Sequence, residues 1–299
     1  MPASKAEPTP RLHRAHRRGP PFAFSASEEY IAWRESCVPQ RAPAPTMRSL
    51  AVIPARLGST RLPRKPLRLL GGVPLVVRVW ERVVAMRVAD ACVVATDSDD
   101  VARAARDAGA DTVLTSPDHP SGTDRVAEVA RLPQYRHIRT IVNVQGDEPF
   151  VADAAVRGAA RMVTDRGFAL GTAAARAPLD ILGRPNVVKL VAADDGRAMY
   201  FSRAGIPFPR DVDDEMLLAG RILQHIGVYA YEREALERWV SLPEHPLERI
   251  ERLEQLRPLA AGMAIGVAIV DEQPAPGIDT EADLDRANTR WSSLTAGLT

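Results

Sequence analysis

The segment 141–150 reads Ile141-Val142-Asn143-Val144-Gln145-Gly146-Asp147-Glu148-Pro149-Phe150, an apolar run that ends abruptly in Gly-Asp-Glu-Pro. Such a run predicts a buried strand of a parallel sheet. The residues that follow the strand then lie at the carboxyl edge of the sheet, where open α/β folds bind their ligands. The acidic turn therefore indicates a metal ligand, Asp147, and predicts a site for Mg²⁺ and a nucleotide.

Strands and helices alternate on both sides of this segment. The patterns predict strands at 50–54, 91–95, 111–114, 140–144, 169–175, 187–192, 226–231 and 265–270. They predict helices near 75–86, 98–108, 122–132, 153–164, 232–240 and 246–257, and from residue 281 onward. The alternation predicts right-handed crossovers and an α/β fold with a mostly parallel mixed sheet. We expect a smaller second lobe near 178–260, over the site.

Composition excludes several classes of protein. The chain has 299 residues, of which 45% are hydrophobic and 26% charged, as in a soluble globular protein. Its apolar runs are too short to span a bilayer, and Cys37 and Cys92 cannot form a disulfide framework, so we expect a cytoplasmic protein. The net charge of +1 provides no large basic surface for nucleic acid. The expected anionic partner is a small molecule.

The first 46 residues differ from the rest of the chain. They hold 8 of the 25 prolines and 7 of the 39 Lys and Arg residues, and they show no sustained apolar period. We expect residues 1–46 to be a disordered extension, separate from a folded domain at 47–299. Met47 is an alternative translation start for that domain. A transit peptide is a weaker alternative, because this segment contains four acidic residues.

A charged loop, residues 54–66, follows the first predicted strand. Arg56 and Arg61 can grip phosphate oxygens with forked donors, Lys65 can act as a point charge, and Gly58 and Ser59 offer close backbone approach and a hydroxyl. The loop predicts a triphosphate cradle, although it matches neither a Walker A motif nor a dinucleotide-binding turn. The alternative is a solvated basic loop.

Two aspartates are candidate Mg²⁺ ligands, because each follows a glycine-containing turn after an apolar stretch. For Asp147 the alternative is an Asx turn, and for Asp279 it is capping of the final helix. Three acidic residues lie at the start of the helix near 98–108, and we expect them to cap that helix: Asp97, Asp99 and Asp100. Ser121-Gly122-Thr123 opens the next helix, where it can read a base or ribose or serve only as a cap.

Eight motifs in order resemble the 3-deoxy-manno-octulosonate cytidylyltransferase (CMP-Kdo synthetase) family. They are Ile53-Pro-Ala-Arg-Leu-Gly-Ser-Thr-Arg-Leu-Pro-Arg-Lys-Pro-Leu67, Val94-Ala-Thr-Asp97, Ser121-Gly-Thr-Asp-Arg125, Val144-Gln-Gly-Asp-Glu-Pro149, Tyr200-Phe-Ser-Arg-Ala-Gly-Ile-Pro207, His225-Ile-Gly-Val-Tyr229, Leu253-Glu-Gln-Leu-Arg257 and Gly277-Ile-Asp-Thr280. The resemblance covers residues 48–290. One departure is Arg64, which stands where the family commonly has glycine.

The resemblance implies a Rossmann-like nucleotidyltransferase fold and a reaction in which CTP and Kdo give CMP-Kdo and pyrophosphate. It implies Mg²⁺ as cofactor, a cytoplasmic homodimer built partly from the second lobe, and a product used in lipopolysaccharide synthesis. Arg56, Lys65 and Asp147 would be catalytic. The nucleotide would contact Ala55, Arg56, Gly58, Ser59, Arg61, Lys65, Ser121, Gly122 and Thr123, and Mg²⁺ would be held by Asp147 and Asp279.

The sugar acid would contact residues of the second lobe and of the acidic turn. The candidates are Gln145, Arg203, His225, Tyr229, Glu254 and Gln255, with Asn186 and Lys189 as weaker ones. Each has a structural alternative: pairing of Arg203 with Asp211, core positions for His225 and Tyr229, and a solvated helix face for Glu254 and Gln255. A sialate or 8-amino-Kdo substrate is the nearest alternative function.

Overall fold

The computed structural model describes residues 48–211, 218 and 220–296. The predictions for residues 1–46 and for Met47 lie outside the described residues. Within these ranges no helix combines the length and the apolar character needed to cross a lipid bilayer.

The elements follow one another as strand, crossover and strand. The first half contains β1 (Ser49–Ala55), β2 (Leu69–Leu70), β3 (Val73–Pro74), α1 (Leu75–Met86), β4 (Ala91–Thr96), α2 (Asp99–Asp107), β5 (Asp111–Leu114), α3 (Gly122–Arg131) and β6 (Thr140–Val144). The second half contains α4 (Asp153–Thr164), β7 (Leu170–Arg176), β8 (Lys189–Ala192), β9 (Ala198–Ser202), β10 (Leu223–Glu232), α5 (Arg233–Ser241), α6 (Pro246–Glu251), α7 (Leu256–Ala260), β11 (Ile265–Val270) and α8 (Glu281–Ala296).

Within the described residues, one nine-stranded sheet organises the fold. Its main order is β11-β7-β10-β6-β1-β4-β5, with β8 paired to β10 and β9 paired to β8. Four of the six neighbouring pairs along the main order are parallel, and β10 runs antiparallel to both β6 and β7. The prediction of a mostly parallel mixed sheet is confirmed.

Both faces of the sheet are covered by apolar side chains. Along β1, Leu50 and Val52 belong to one buried cluster, whereas Ala51 and Ile53 belong to the cluster on the other face. This alternation follows from the two-residue period of a strand, and it makes β1 apolar throughout because helices cover both faces. The carboxyl ends of β1, β4 and β6 consequently meet at one edge of a rigid platform.

The predicted helix over 246–257 is wrong as a single element. The chain breaks at Arg252, whose φ of 54° is left-handed, and divides the segment into α6 and α7. Glu248, which completes a capping box with His245, also pairs with Arg257 at 2.6 Å, so one carboxylate fixes both short helices. No glycine or proline marks the break in the sequence. The sequence patterns also failed to predict the strand β9 and the hairpin formed by β2 and β3.

Candidate active site

A cavity of about 390 Å³ opens at the carboxyl edge of the sheet. It lies where the loop after β1, the start of α3, the turn after β6 and the segment before α8 converge. The predicted site residues that line it are Ala55, Arg56, Gly58, Ser59, Arg61, Lys65, Ser121, Gly122, Gln145, Asp147, Glu254 and Asp279. Segments far apart in the sequence thus meet around one space.

The turn after β6 lies directly against the end of β1. A Cβ atom on Gly146 would stand 2.7 Å from the Pro54 carbonyl oxygen and 3.3 Å from the Cβ of Ala55. Because the backbone oxygen cannot move away freely, only glycine allows this approach. The close approach fixes Asp147, the next residue, beside the charged loop that follows β1.

Lys65 links the two predicted metal ligands. Its Nζ donates to Asp147 Oδ2 and, at 2.8 Å, to Asp279 Oδ1, while Arg61 pairs with the other oxygen of Asp279 at 3.1 Å. Burial alone would lower the pKa of Lys65, but the Asp147 and Asp279 carboxylates outweigh it and hold that pKa above its ordinary value. Lys65 is therefore a fixed cation at the floor of the cavity.

The remaining cations of the loop differ in their partners. Arg64 adopts the left-handed φ of 56° and pairs with Asp100 at 2.9 Å, so this departure from glycine binds the loop to the start of α2. Arg56 is exposed, lines the cavity and has no ion-pair partner among the described residues. Arg56 is consequently available for an anion that enters the cavity.

The start of the loop leaves room for such an anion. No atom of the described part of the chain lies within 4 Å of a Cβ placed on Gly58, and the backbone there does not require glycine. The Ser59 hydroxyl accepts a hydrogen bond from the Leu62 amide at 3.3 Å and shapes the turn. The protein alone gives no reason for glycine at position 58, whereas close approach of a phosphate to the backbone does.

Asp147 and Asp279 fit a magnesium ion. Both carboxylates reach one nitrogen atom, Lys65 Nζ, so both can reach one ion of similar position if that side chain moves. No group of three or more His, Cys, Asp or Glu residues in the described part of the chain is placed to hold a metal. Mg²⁺ commonly takes one or two carboxylates and completes its shell with phosphate and water, so two ligands match its needs.

Glu148 is a third acidic group on the same turn. Burial, followed by the neighbouring Asp147 charge, raises the pKa of Glu148 to about 8. Its backbone amide donates to the Gln145 carbonyl at 3.2 Å, which closes the turn. At neutral pH the Glu148 carboxyl is therefore largely protonated and adds little negative charge beside Asp147.

The start of α3 forms another wall of the cavity. Ser121 caps the helix by accepting from the Asp124 amide at 3.2 Å, and its hydroxyl lies 2.7 Å from Glu254 Oε1 and 2.6 Å from Asp124 Oδ2. A hydroxyl has one proton to donate, so two carboxylates compete for it. Burial, with a smaller effect of Asp124, raises the pKa of Glu254. Thr123 is buried and turns to Glu254 and Tyr231 instead of the cavity.

Four residues predicted to contact the sugar acid do not line the cavity: Arg203, His225, Tyr229 and Gln255. Arg203 donates from Nε to the Glu251 carbonyl at 2.7 Å, which ties β9 to the end of α6. Gln255 is buried, and its Nε2 has no hydrogen-bond partner among the residues that the structure describes.

His225 and Tyr229 lie together, as their spacing in one strand predicts. Their ring centroids are 5.5 Å apart, and His225 Nε2 lies 3.0 Å from the Thr172 hydroxyl. Burial lowers the pKa of His225 to about 3, so the ring is neutral at physiological pH. Of the weaker candidates, Lys189 is fully buried and donates to three backbone carbonyls, of Arg184, Val187 and Arg203.

Sequence reasoning missed two polar residues of the cavity wall, His119 and Arg125. The imidazole of His119 is hydrogen-bonded to the Glu128 carboxylate, which also accepts from the Ser116 amide at 3.0 Å. Arg125 is 3% exposed on the apolar face of α3. Its spacing of four residues from Val129 was the available signal, because the two share one helix face.

The predicted cap role of Asp97 is wrong. Ser98 caps α2, and its side chain accepts from the Val101 amide. Asp97 instead accepts from the Leu57 amide at 3.0 Å and from the Arg125 guanidinium at 3.1 Å. By sequence position alone, Asp97 and Ser98 are both suitable caps for α2. The contact of Asp97 with Leu57 depends on the fold, so the sequence does not indicate it.

Comparison with known protein families agrees with this geometry. A sequence model of the family described as Cytidylyltransferase matches residues 50–265. A 3-deoxy-manno-octulosonate cytidylyltransferase of Gemmatimonas aurantiaca is 61% identical over 247 residues, which cover 83% of this chain and 95% of that protein. The protein of the same name from Leptothrix cholodnii is 45% identical over 252 residues, which cover 83% and 93%.

Comparison with solved structures also finds a member of this family. A CMP:2-keto-3-deoxy-manno-octonic acid synthetase complexed with CTP superposes with a TM-score of 0.76 at 35% identity and covers 82% of this chain and 99% of that one. The 4-diphosphocytidyl-2C-methyl-D-erythritol synthase of Anaerococcus prevotii has a TM-score of 0.54 at 16% identity, covering 82% and 98%. The second likeness concerns the fold alone.

Proposed function

The chain belongs to the 3-deoxy-manno-octulosonate cytidylyltransferase family, and from that premise we propose that it transfers CMP from CTP to 3-deoxy-D-manno-octulosonate (Kdo). The observation that carries the proposal is the cavity at the carboxyl edge of the sheet. There the cations of the charged loop, the Asp147 and Asp279 carboxylates and the start of α3 line one space, and Lys65 and Arg61 pair with the carboxylates while Arg56 does not. This arrangement suits a triphosphate with its cation at one end and a base at the other.

The reaction forms one P–O bond and breaks another. The anomeric hydroxyl oxygen of Kdo attacks the α-phosphorus of CTP, and the bond to the β-phosphate breaks to release pyrophosphate. Phosphoryl chemistry of this kind depends on positioning and charge neutralisation. Arg56 grips the phosphates from the open side, while Lys65 and Arg61 exchange their carboxylate partners for phosphate oxygens.

Mg²⁺ is the proposed cofactor, and Asp147 and Asp279 would hold it. When bound, it supplies positive charge to the phosphate oxygens on which negative charge develops. Asp147 would hold the ion beside the charged loop, because Gly146 keeps the acidic turn against the end of β1. The contact of both carboxylates with Lys65 Nζ supports this assignment, because it shows that the two side chains can share one cation.

Gln145 and Glu254 are the proposed contacts for the sugar hydroxyls. Both line the cavity, and both can accept hydrogen bonds there. Four further residues are proposed contacts for the sugar acid, and because none of them lines the cavity, their side chains would have to move to reach it: Arg203, His225, Tyr229 and Gln255. The buried Nε2 of Gln255 lacks a hydrogen-bond partner among the described residues, and a polar group of the substrate would satisfy it.

We propose further that the enzyme is a homodimer that acts in the cytoplasm, where CTP is made, and that its product serves lipopolysaccharide synthesis. Support for the dimer comes from large apolar side chains exposed in the segment 178–260. Met199 is 60% exposed, Phe208 83% and Ile250 77%. Sedimentation equilibrium of the full chain tests the oligomeric state, and a monomer at micromolar concentration would refute the dimer.

A pyrophosphate-release assay tests the activity. The full chain with CTP, Mg²⁺ and Kdo should release pyrophosphate, and omission of any one of the three should stop release. Parallel reactions contain sialate or 8-amino-Kdo in place of Kdo, or UTP with a hexose phosphate. Release only in one of these parallel reactions would reject Kdo and CTP as the substrates.

A further inference from the structure

Asp97 connects two walls of the cavity without lining it. The residue follows β4 directly, between the loop after β1 and the start of α3. Its Oδ1 accepts from the Leu57 amide at 3.0 Å, and its Oδ2 accepts from Arg125 Nη2 at 3.1 Å. Leu57 lies between Arg56 and Gly58 of the charged loop, whereas Arg125 lies on α3. One carboxylate therefore holds a backbone group of one wall and a side chain of the other.

The pair between Asp97 and Arg125 is well shielded from water. The Arg125 side chain is 4% exposed and the Asp97 side chain 14%. Arg125 also donates to the Thr115 hydroxyl, which in turn donates to the Thr96 carbonyl at 3.1 Å. The guanidinium is thereby anchored to the ends of two neighbouring strands. Because a buried, multiply bonded ion pair has little freedom, the connection is rigid.

We propose that Asp97 is a positioning residue that holds the charged loop at a fixed distance from α3, so that the cavity is preformed for a ligand bridging both walls. This inference rests on the proposed function, in which the triphosphate of CTP lies along the loop and its nucleoside lies at α3. A ligand that spans two walls gains affinity when their separation is already correct, because no ordering cost remains. A ligand that touches only one wall gains nothing from the connection.

The test compares ligands that engage one wall or both. Asp97→Ala should weaken binding of CTP about tenfold. The variant loses a charge-assisted hydrogen bond that orders the loop, so CTP binding must order the loop instead. Tripolyphosphate, which engages the loop, and cytidine, which engages α3, should bind within about twofold of their wild-type affinities. In turnover, the KM for CTP should rise about tenfold while the KM for Kdo stays unchanged.

Two further variants separate positioning from general stability. Asp97→Asn keeps an oxygen that can accept from the Leu57 amide but loses the charge that pairs with Arg125, so its CTP affinity should fall between wild type and Asp97→Ala. Asp99→Asn is the matched control, because Asp99 is exposed in the first turn of α2 and should change no affinity. A fall in melting temperature with an unchanged KM for CTP would show a merely structural role and overturn the proposal.

Hydrogen exchange over residues 56–62 measures the connection without any nucleotide. Asp97→Ala should accelerate exchange of the Leu57 amide at least tenfold, and Asp99→Asn should not, because only the former removes the acceptor. Accelerated exchange with unchanged CTP affinity would refute positioning. Stronger tripolyphosphate binding in Asp97→Ala would also refute it, since that result would mean Asp97 only masks Arg125. If exchange accelerates in Asp97→Ala but the wild-type protein does not bind CTP, the connection exists and the proposed function is overturned instead.

Discussion

Lys65→Met removes the cation that Asp147 and Asp279 share and retains a long side chain. A hydrogen bond to a charged group contributes about 1.5–3 kcal/mol to stability. Asp147 is 34% exposed, so its bond counts at the lower end, about 1.5 kcal/mol. Asp279 is 42% exposed, and its bond counts as a surface ion pair, about 0.5 kcal/mol. The variant should lose about 2 kcal/mol of unfolding free energy, equal to about 4–8 °C in Tm.

Magnesium should reverse this loss, because it replaces the missing cation. In the wild type the ion must first break pairs worth about 2 kcal/mol, which weakens its apparent affinity about 30-fold. Lys65→Met should therefore bind Mg²⁺ about 30-fold more tightly than the wild type in the absence of CTP. At about ten times its Kd, Mg²⁺ should restore about 1.4 kcal/mol of the variant's stability.

Calorimetric titration with Mg²⁺ and melting curves with and without the ion measure both effects. The matched control is Arg68→Met, which breaks an exposed pair with Glu281 at 2.5 Å outside the cavity. Its cost should be at most about 1 kcal/mol and should not depend on Mg²⁺. Equal Mg²⁺ affinity in the wild type and in Lys65→Met would refute the reasoning, since Lys65 would then not occupy the position of the ion.

Three other changes have distinct expected outcomes. Gly146→Ala should destabilise the protein by about 1–3 kcal/mol, because its Cβ meets the Pro54 oxygen, whereas Gly58→Ala should leave urea midpoints unchanged and weaken CTP binding in titration calorimetry. Equal effects on stability would contradict this contrast. Asp147→Asn should nearly abolish pyrophosphate release with an unaltered circular dichroism spectrum, and an ordinary Mg²⁺ dependence in that variant would remove Asp147 from the metal site. His225 has a pKa of about 3 in the folded protein against 6.5 ordinarily, so the unfolded chain takes up its proton first and stability falls as pH drops from 6.5 towards 3. His225→Gln should show a smaller drop in urea midpoint between pH 7 and pH 4.5 than the wild type, and an equal drop would exclude His225 as the cause.

The fold was predictable where local pattern and tertiary environment agree. The strand 140–144 and the helix 75–86 have the predicted bounds, because each is an uninterrupted apolar pattern that packs as the pattern requires. The break at Arg252 was not predictable, since it depends on the buried pair of Glu248 and Arg257 and not on a local signal. Tertiary contacts overrode an apparently continuous helix.

The candidate site divides in the same way. Residues next to strand ends, such as Arg56 and Asp147, were found because topology alone brings strand ends together. The link from Leu57 through Asp97 to Arg125 was not found, because it joins residues 40 and 28 positions apart through side chains whose direction the sequence does not fix. Sequence motifs therefore located the walls of the cavity but not what holds them together.

Charge balance explains how so many ionic groups coexist in one small cavity. Without ligands, Lys65 and Arg61 neutralise Asp147 and Asp279, while Arg56 alone among the cavity-lining loop cations lacks a carboxylate partner within the described residues. In the proposed function, Arg56 would meet the phosphates first, and Lys65 and Arg61 would then transfer to phosphate oxygens. That transfer frees both aspartates only when a triphosphate is present to accept the cations. The same ion pairs would thus make binding of the metal depend on binding of CTP.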